Sequence, residues 1–96
     1  MLYLLNMDNN IDKVAPILRR YGVKKAAFFG SYARGEQTDS SDVDILIQLP
    51  PDMGLAFVRL QRELQGTLGK SVDLVSYDGI SPYMRESILS HQVTIL

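Results

Sequence analysis

Three aspartates stand in or next to sequence segments whose other residues are mostly apolar. Asp42 and Asp44 open the strand-like segment 43–49, and Asp73 lies inside the apolar run 72–75. Because strand side chains alternate between two faces, Asp42 and Asp44 point the same way, with Cα atoms about 6.6 Å apart. Carboxylates this close repel one another, and a buried carboxylate needs a cation or a firm hydrogen-bond partner. If the two strands are neighbours, the three acids converge into a set of oxygen donors that suits Mg²⁺.

A glycine followed by a serine is the second feature that could take part in binding or catalysis. The apolar run that includes Phe28 and Phe29 stops at Gly30, and Ser31 follows it. Glycine lets a phosphate approach the backbone, the serine hydroxyl can donate to it, and the start of a short helix offers free N–H groups. The segment is not a Walker A loop, because no Gly-Lys-Ser/Thr follows, and it lacks the dinucleotide-binding pattern Gly-x-Gly-x-x-Gly. By itself the glycine–serine corner does not define a function.

The spacing between the two features is more specific than either feature alone. Ten residues separate the glycine–serine corner from the first two aspartates, and the runs 29–36 and 41–46 carry the whole pattern. This pattern resembles the signature of the polymerase-β-type nucleotidyltransferase superfamily. It looks most like the minimal nucleotidyltransferases, small domains that often act as antitoxins beside HEPN-domain toxins. The resemblance covers most of the chain, from the strand that starts at Val23 through Asp73.

The resemblance implies a role for each residue of the motif. Asp42, Asp44 and Asp73 would be the catalytic carboxylates and the metal ligands, and Asp73 would also take the proton of the acceptor. Gly30 and Ser31 would contact the phosphates of the nucleotide. The chain matches the family pattern at all five positions.

Two further residues close to or outside the motif have open roles. Arg34 can reach a triphosphate and is a nucleotide-binding candidate, but it can equally pair with Glu36 or Asp39 and brace the loop. His91 is the only histidine. A Ser-His-Asp hydrolase would have to use it, yet the chain lacks the Gly-x-Ser-x-Gly turn of such enzymes around its Gly-Ser pair.

Helical and strand-like segments alternate along the chain and must position these residues. The expected strands are 23–29, 43–49, 71–77 and a closing strand over 93–96, with a short helix over 31–36 and a polar loop over 37–41 between the first two. A first helix is expected over 10–21, capped by Asn9 or Asn10, with Pro16 causing a kink or marking a later start. A second long helix has the core stripe Met53, Phe57, Leu60, Leu64 and Leu68 and is closed by Gly69, and a last helix runs from Pro82 to about Ser90, capped by Ser81. This order predicts one α/β (α+β) domain over residues 1–96. The resemblance implies a small mixed β-sheet backed by helices, the nucleotidyltransferase fold.

Composition narrows the function classes further. The chain has 96 residues, no cysteine and a formal net charge of −1. Without cysteine there is no disulfide framework, zinc ribbon or thiol nucleophile, and the balanced charge argues against direct binding of nucleic acid. The apolar start over residues 1–5 is too short for a signal peptide, and no window approaches the roughly 18 apolar residues of a membrane span. We therefore expect a soluble, cytoplasmic protein.

Together these observations predict a Mg²⁺-dependent nucleotidyltransferase. By the resemblance it uses two Mg²⁺ ions and transfers a nucleoside monophosphate, AMP from ATP or the equivalent from another NTP, to a hydroxyl of a partner protein. The expected partner is a HEPN toxin, which the transfer would neutralise. One alternative is an antitoxin that neutralises its toxin by binding alone. Another is transfer to a small molecule, in which case a partner or a homo-oligomer would have to supply the acceptor specificity.

Overall fold

The computed structural model describes residues 2–36 and 42–96, and the expected polar loop over 37–41 lies outside them. The elements are α1 (Leu2–Arg20), β1 (Ala26–Phe29), α2 (Gly30–Arg34), β2 (Val43–Ile47), α3 (Ala56–Leu68), β3 (Val72–Ser76), a 3₁₀ turn (Tyr77–Gly79), α4 (Pro82–Ser90) and β4 (Val93–Thr94). The order of helices and strands is the one that the sequence pattern predicts. Among the described residues, no helix is both long and apolar enough to cross a membrane.

The four strands form one mixed sheet, which confirms the expected fold class. Their order is β3-β2-β1-β4. β1 pairs antiparallel with both β2 and β4, whereas β2 and β3 are parallel. Parallel neighbours require a crossover connection, and α3 supplies it between β2 and β3. The two strands that carry the aspartates are therefore direct neighbours.

Helices α1 and α3 cover one face of the sheet and form the core with it. Leu60 and Leu64 on α3 are completely buried, and Met53, Phe57 and Leu68 pack partly buried against the same cluster, as their helical spacing predicts. The strand residues in this cluster alternate along each strand; they are Ala26 and Phe28 of β1, Val43, Ile45 and Ile47 of β2, and Val72 and Leu74 of β3. The intervening strand residues consequently point to the opposite face.

Helix α1 starts earlier than the sequence predicts. It begins at Leu2, so Asn9 and Asn10 lie inside the helix, and the expected cap and the later start are wrong. The helix also continues through Pro16, which removes one backbone hydrogen bond. Pro16 is exposed, while Val14 and Leu18 on either side of it are completely buried against the sheet. Burial of this apolar face offsets the lost hydrogen bond.

The turn after α1 explains why β1 starts later than expected. The amide of Val23 donates to the carbonyl of Leu18 at 3.0 Å, and the amide of Gly22 donates to Arg19 at 2.9 Å. These bonds satisfy the last carbonyl groups of α1, so Val23 belongs to the helix terminus and not to the strand. The other strands are also shorter than predicted at their ends, by one or two residues each.

Side chains of α3 close the outer edge of the sheet at β3. Gln61 Nε2 donates to the carbonyl of Val72 at 2.8 Å, and the amide of Val72 donates to Gln65 Oε1 at 3.2 Å. The chain then continues to α4, which begins at Pro82 as expected, although the Ser81 side chain makes no capping hydrogen bond. The predicted side-chain cap is therefore wrong, and the first turn is closed by the backbone bond from Met84 N to Ser81 O at 3.0 Å.

Truncating the buried stripe of α3 tests this packing. We expect Leu64→Ala to lower the free energy of unfolding by about 2–5 kcal/mol, because it leaves a cavity under the sheet. Val58 lies on the same helix with its residue surface 44% exposed. Val58→Ala should change stability by no more than about 0.5 kcal/mol. Urea unfolding measures both, and equal losses would contradict the assigned core.

Candidate active site

The three aspartates come together at one end of the sheet. Asp44 of β2 is paired in register with Asp73 of β3, and Asp42 precedes β2 by one residue. By strand alternation all three point to the face opposite α1 and α3. Adjacent strands lie about 4.8 Å apart, so Asp44 and Asp73 are near neighbours. The predicted juxtaposition is present, but Asp73 is exposed, because β3 is the edge strand. The expected burial of Asp73 is therefore wrong.

Asp44 carries the electrostatic strain of this cluster. It is half-buried, and burial raises the pKa of its carboxyl above the ordinary value; the negative charges of Asp73 and Asp42 raise it further. The guanidinium of Arg34 acts in the opposite direction and lowers this pKa. Ionisation of Asp44 is therefore less favourable here than in water, and a further positive charge would favour it.

The donor set fits a divalent cation, although the acids are not yet gathered into a ligand shell. Within residues 2–36 and 42–96, no three carboxylate, imidazole or thiol groups are close enough together to hold a metal ion. Three carboxylates on adjacent strands, one of them strained by its neighbours, are the oxygen-only ligation that Mg²⁺ prefers.

Gly30 packs directly against the central carboxylate. Phe29 pairs with Asp44 across the β1–β2 ladder, and Gly30 follows with φ +67°, in the left-handed region. A Cβ atom at Gly30 would lie 3.1 Å from Asp44 Cγ and closer still to Oδ2. Only glycine fits here, for both backbone and steric reasons. The structure thus joins the glycine–serine corner, including the half-buried Ser31, to the aspartate cluster.

Two neighbouring residues support the corner. Arg34 Nε donates to Glu36 Oε2 at 3.2 Å, so the bracing interaction is present, while Asp39 lies outside the described residues. Tyr32 is buried and its ring stacks on Phe28 with centroids 6.0 Å apart. Arg34 also lines the cleft described next and remains a nucleotide-binding candidate.

A cleft of about 210 Å³ opens beside the corner and Asp44. One wall consists of Phe29, Gly30, Arg34 and Asp44, and the other of Met84, Ser87, Ile88 and His91. Sequence reasoning missed this second wall, which belongs to α4 and its C-terminal end. The sequence feature that could have revealed this wall is the closing strand, because β4 pairs with β1 and so brings the end of α4 beside Gly30. The sequence predicts that strand but not its pairing partner.

Residues 11–95 match the family model described as "Nucleotidyltransferase domain". A protein of Methanocaldococcus jannaschii, named a putative protein adenylyltransferase, is 43% identical over 93 residues, which cover 96% of this chain and all of the relative.

Solved structures share the fold. A chain described as a putative minimal nucleotidyltransferase superposes with a TM-score of 0.80 at 34% identity, over 94% of this chain and 93% of that one. A structure described as a toxin–antitoxin with AMP-PNP superposes with a TM-score of 0.75 at 26% identity, over 91% of this chain and 73% of that one.

Adding one methyl group at Gly30 tests the packing of the corner. We expect Gly30→Ala to lower stability by about 1–3 kcal/mol, because the side chain requires both an unfavourable φ and displacement of Asp44. Gly66, in the middle of α3, is the matched control, because nothing lies within 4 Å of a Cβ built there. Gly66→Ala should raise stability by about 0.5–1 kcal/mol. Chemical denaturation distinguishes the two, and a neutral Gly30→Ala would refute the contact.

Neutralising Asp44 tests the electrostatic strain. The protonated carboxyl contributes stability below the ordinary pKa of 3.8, and this contribution is lost as pH rises through the higher folded pKa. Metal-free Asp44→Asn should therefore melt up to about 5 °C above the wild type at pH 7, and the gap should narrow in acid. Mg²⁺ should raise the melting temperature of the wild type but not of Asp44→Asn.

The exposed Asp12 on α1 provides the control for this charge change. Asp12→Asn should leave both the melting temperature and the Mg²⁺ response close to those of the wild type. If Asp44→Asn melts below the wild type in the absence of metal, the carboxylate is not strained as described.

Proposed function

Because the chain belongs to the nucleotidyltransferase domain family, we propose that it transfers AMP from ATP to a hydroxyl group of a partner protein. The observation that carries this proposal is the position of Asp44. It lies opposite Asp73 on the neighbouring strand and against the backbone of Gly30 on its other side. A carboxylate cluster for a cation and a backbone corner for phosphates thus share one end of the sheet.

Asp42, Asp44 and Asp73 are the residues that would hold Mg²⁺. When bound, Mg²⁺ supplies positive charge to the phosphate oxygens of ATP and to the developing negative charge of the transfer. The raised pKa of Asp44 supports this assignment, because a cation relieves the repulsion that raises it. Arg34 adds a second positive charge on the side of the cleft that Gly30 forms.

The remaining steps use the protein's own groups. Gly30 and Ser31 bind the phosphates through the backbone amides at the start of α2 and the Ser31 hydroxyl. The acceptor oxygen forms a bond to the α-phosphorus, the bond from that phosphorus to the bridging oxygen breaks, and pyrophosphate leaves. Asp73, exposed at the edge of the sheet, takes the proton of the acceptor hydroxyl. Positioning and charge account for most of the catalysis in such transfers, so a small domain suffices.

The acceptor is a protein in this proposal, and we identify it as a HEPN-type toxin in the cytoplasm. The name of the Methanocaldococcus relative supports a protein acceptor. The structural neighbour described as a toxin–antitoxin with AMP-PNP supports the pairing with a toxin and the use of an adenine nucleotide. Transfer of AMP would neutralise the toxin by modifying it.

Labelling of the partner tests the proposal directly. We expect the wild type, with Mg²⁺ and ATP labelled at the α-phosphate, to transfer label to a purified HEPN-type toxin supplied as the acceptor. The Asp42→Asn/Asp44→Asn double variant should lose at least about a thousandfold in rate, because the charge that stabilises the transfer is gone. Asp12→Asn should label at the wild-type rate.

The same variants separate the alternatives. Toxin neutralisation that persists without ATP and in the double variant would show an antitoxin that acts by binding. Label that appears on a small-molecule acceptor and never on the partner would assign the chain to small-molecule transfer. Label on the partner at the wild-type rate from the double variant would refute the metal ligands.

A further inference from the structure

The inner face of α4 forms a wall of the cleft. Met84, Ser87, Ile88 and His91 line it at the spacing i, i+3, i+4, i+7 of a single helix face. The neighbouring Tyr83 lies off this face and is 98% exposed. Of the four wall residues, His91 is the one whose side chain can carry a positive charge.

The pairing of β4 with β1 fixes the position of His91. Phe28 of β1 is opposite Val93 of β4 in an antiparallel register. Two residues beyond this pair, the chains reach Gly30 at the start of α2 and His91 at the end of α4. Both residues line the same cleft, so His91 faces the phosphate corner from the β4 side, while Asp73 lies on the far side of Asp44.

Local hydrogen bonds hold the imidazole ring of His91. Its Nδ1 lies 3.1 Å from the carbonyl oxygen of Ser87 and 3.0 Å from Ser90 Oγ. A carbonyl oxygen can only accept, so Nδ1 carries the hydrogen in this contact, and Nε2 is the ring nitrogen left for a ligand. Fixing one ring nitrogen in this way orients the other, as at many histidines that bind substrates.

His91 is the C-terminal cap of α4, and its amide donates to the carbonyl of Ile88 at 3.3 Å. In the imidazolium form both ring nitrogens are donors, so Nδ1–H donates to Ser87 and Nε2–H is available to an anionic oxygen.

We propose that His91 is a substrate-contacting residue that, together with Arg34, binds the β- and γ-phosphates of the nucleotide. This inference rests on the proposed function, which places the α-phosphorus at the aspartates of β2 and β3. The phosphates beyond it extend toward β1, where Gly30, Arg34 and His91 surround the cleft. His91 thereby distinguishes a triphosphate from a monophosphate and stabilises the negative charge of the leaving pyrophosphate.

Calorimetric binding of two nucleotides tests this role. With Mg²⁺ present, we expect His91→Leu to weaken binding of the ATP analogue AMP-PNP about tenfold, the effect of losing one charge-assisted hydrogen bond. Binding of AMP should change by less than about twofold, because AMP lacks the β- and γ-phosphates. His91→Gln, which keeps an N–H donor, should retain part of the affinity. His91→Glu should lose more than His91→Leu, because its charge repels phosphate.

Glu86 provides the control, since it is exposed on α4 and outside the cleft. Glu86→Gln should bind both nucleotides like the wild type. If His91→Leu and His91→Glu bind AMP-PNP like the wild type, or lose AMP to the same extent, the proposal is overturned while the proposed function stands. If the wild type itself fails to bind AMP-PNP with Mg²⁺, the proposed function fails, and the role of His91 with it.

Discussion

Backbone hydrogen bonds of the parallel β2–β3 pair hold Asp44 beside Asp73, so their repulsion cannot be relieved by separating the strands. Burial on one side and two further acids on the other raise the pKa of Asp44. Any relief has to come from a positive charge outside the cluster, and Arg34 supplies only part of it. The fold therefore holds a carboxylate at one end of the sheet that a cation would stabilise.

The remainder of the molecule keeps this arrangement in place. Helices α1 and α3 bury one face of the sheet completely, which leaves the aspartates on the other face. Gly30 brings the start of α2 against Asp44, so the glycine–serine corner is packed directly on β2. The last helix, α4, has no buried residue and adds only a wall. The aspartates thus lie at the end of a well-packed sheet, beside a peripheral helix whose packing contributes little to the core.

Sequence patterns predicted the elements and the motif better than their surroundings. The alternation of helices and strands and the stripe around Leu64 are local consequences of periodicity and apolar character. The start of α1 was wrong because burial of Val14 and Leu18 outweighs the signals of Asn9, Asn10 and Pro16. Such tertiary effects override local propensity.

In the candidate site, too, the sequence predicted what depends on neighbouring residues and missed what depends on distant contacts. The spacing of Gly30, Asp42 and Asp44 predicted one site, because those residues are close in sequence. Asp73 is exposed because β3 is an edge strand, and strand order cannot be read from the apolar run around it. The sequence analysis considered His91 only as the histidine of a hydrolase, because its place beside Gly30 depends on the pairing of β4 with β1, a contact between distant parts of the chain.

The glutamines of α3 that bind Val72 have a consequence for association with other chains. An unprotected edge strand is a template on which a second chain can extend the sheet, which leads to aggregation. At β3, an incoming strand would first have to displace the Gln61 and Gln65 side chains from the backbone of Val72. The polar side chains of α3 thus protect the edge of the strand that carries Asp73. They discourage the addition of another strand there while Asp73 stays exposed to small ligands.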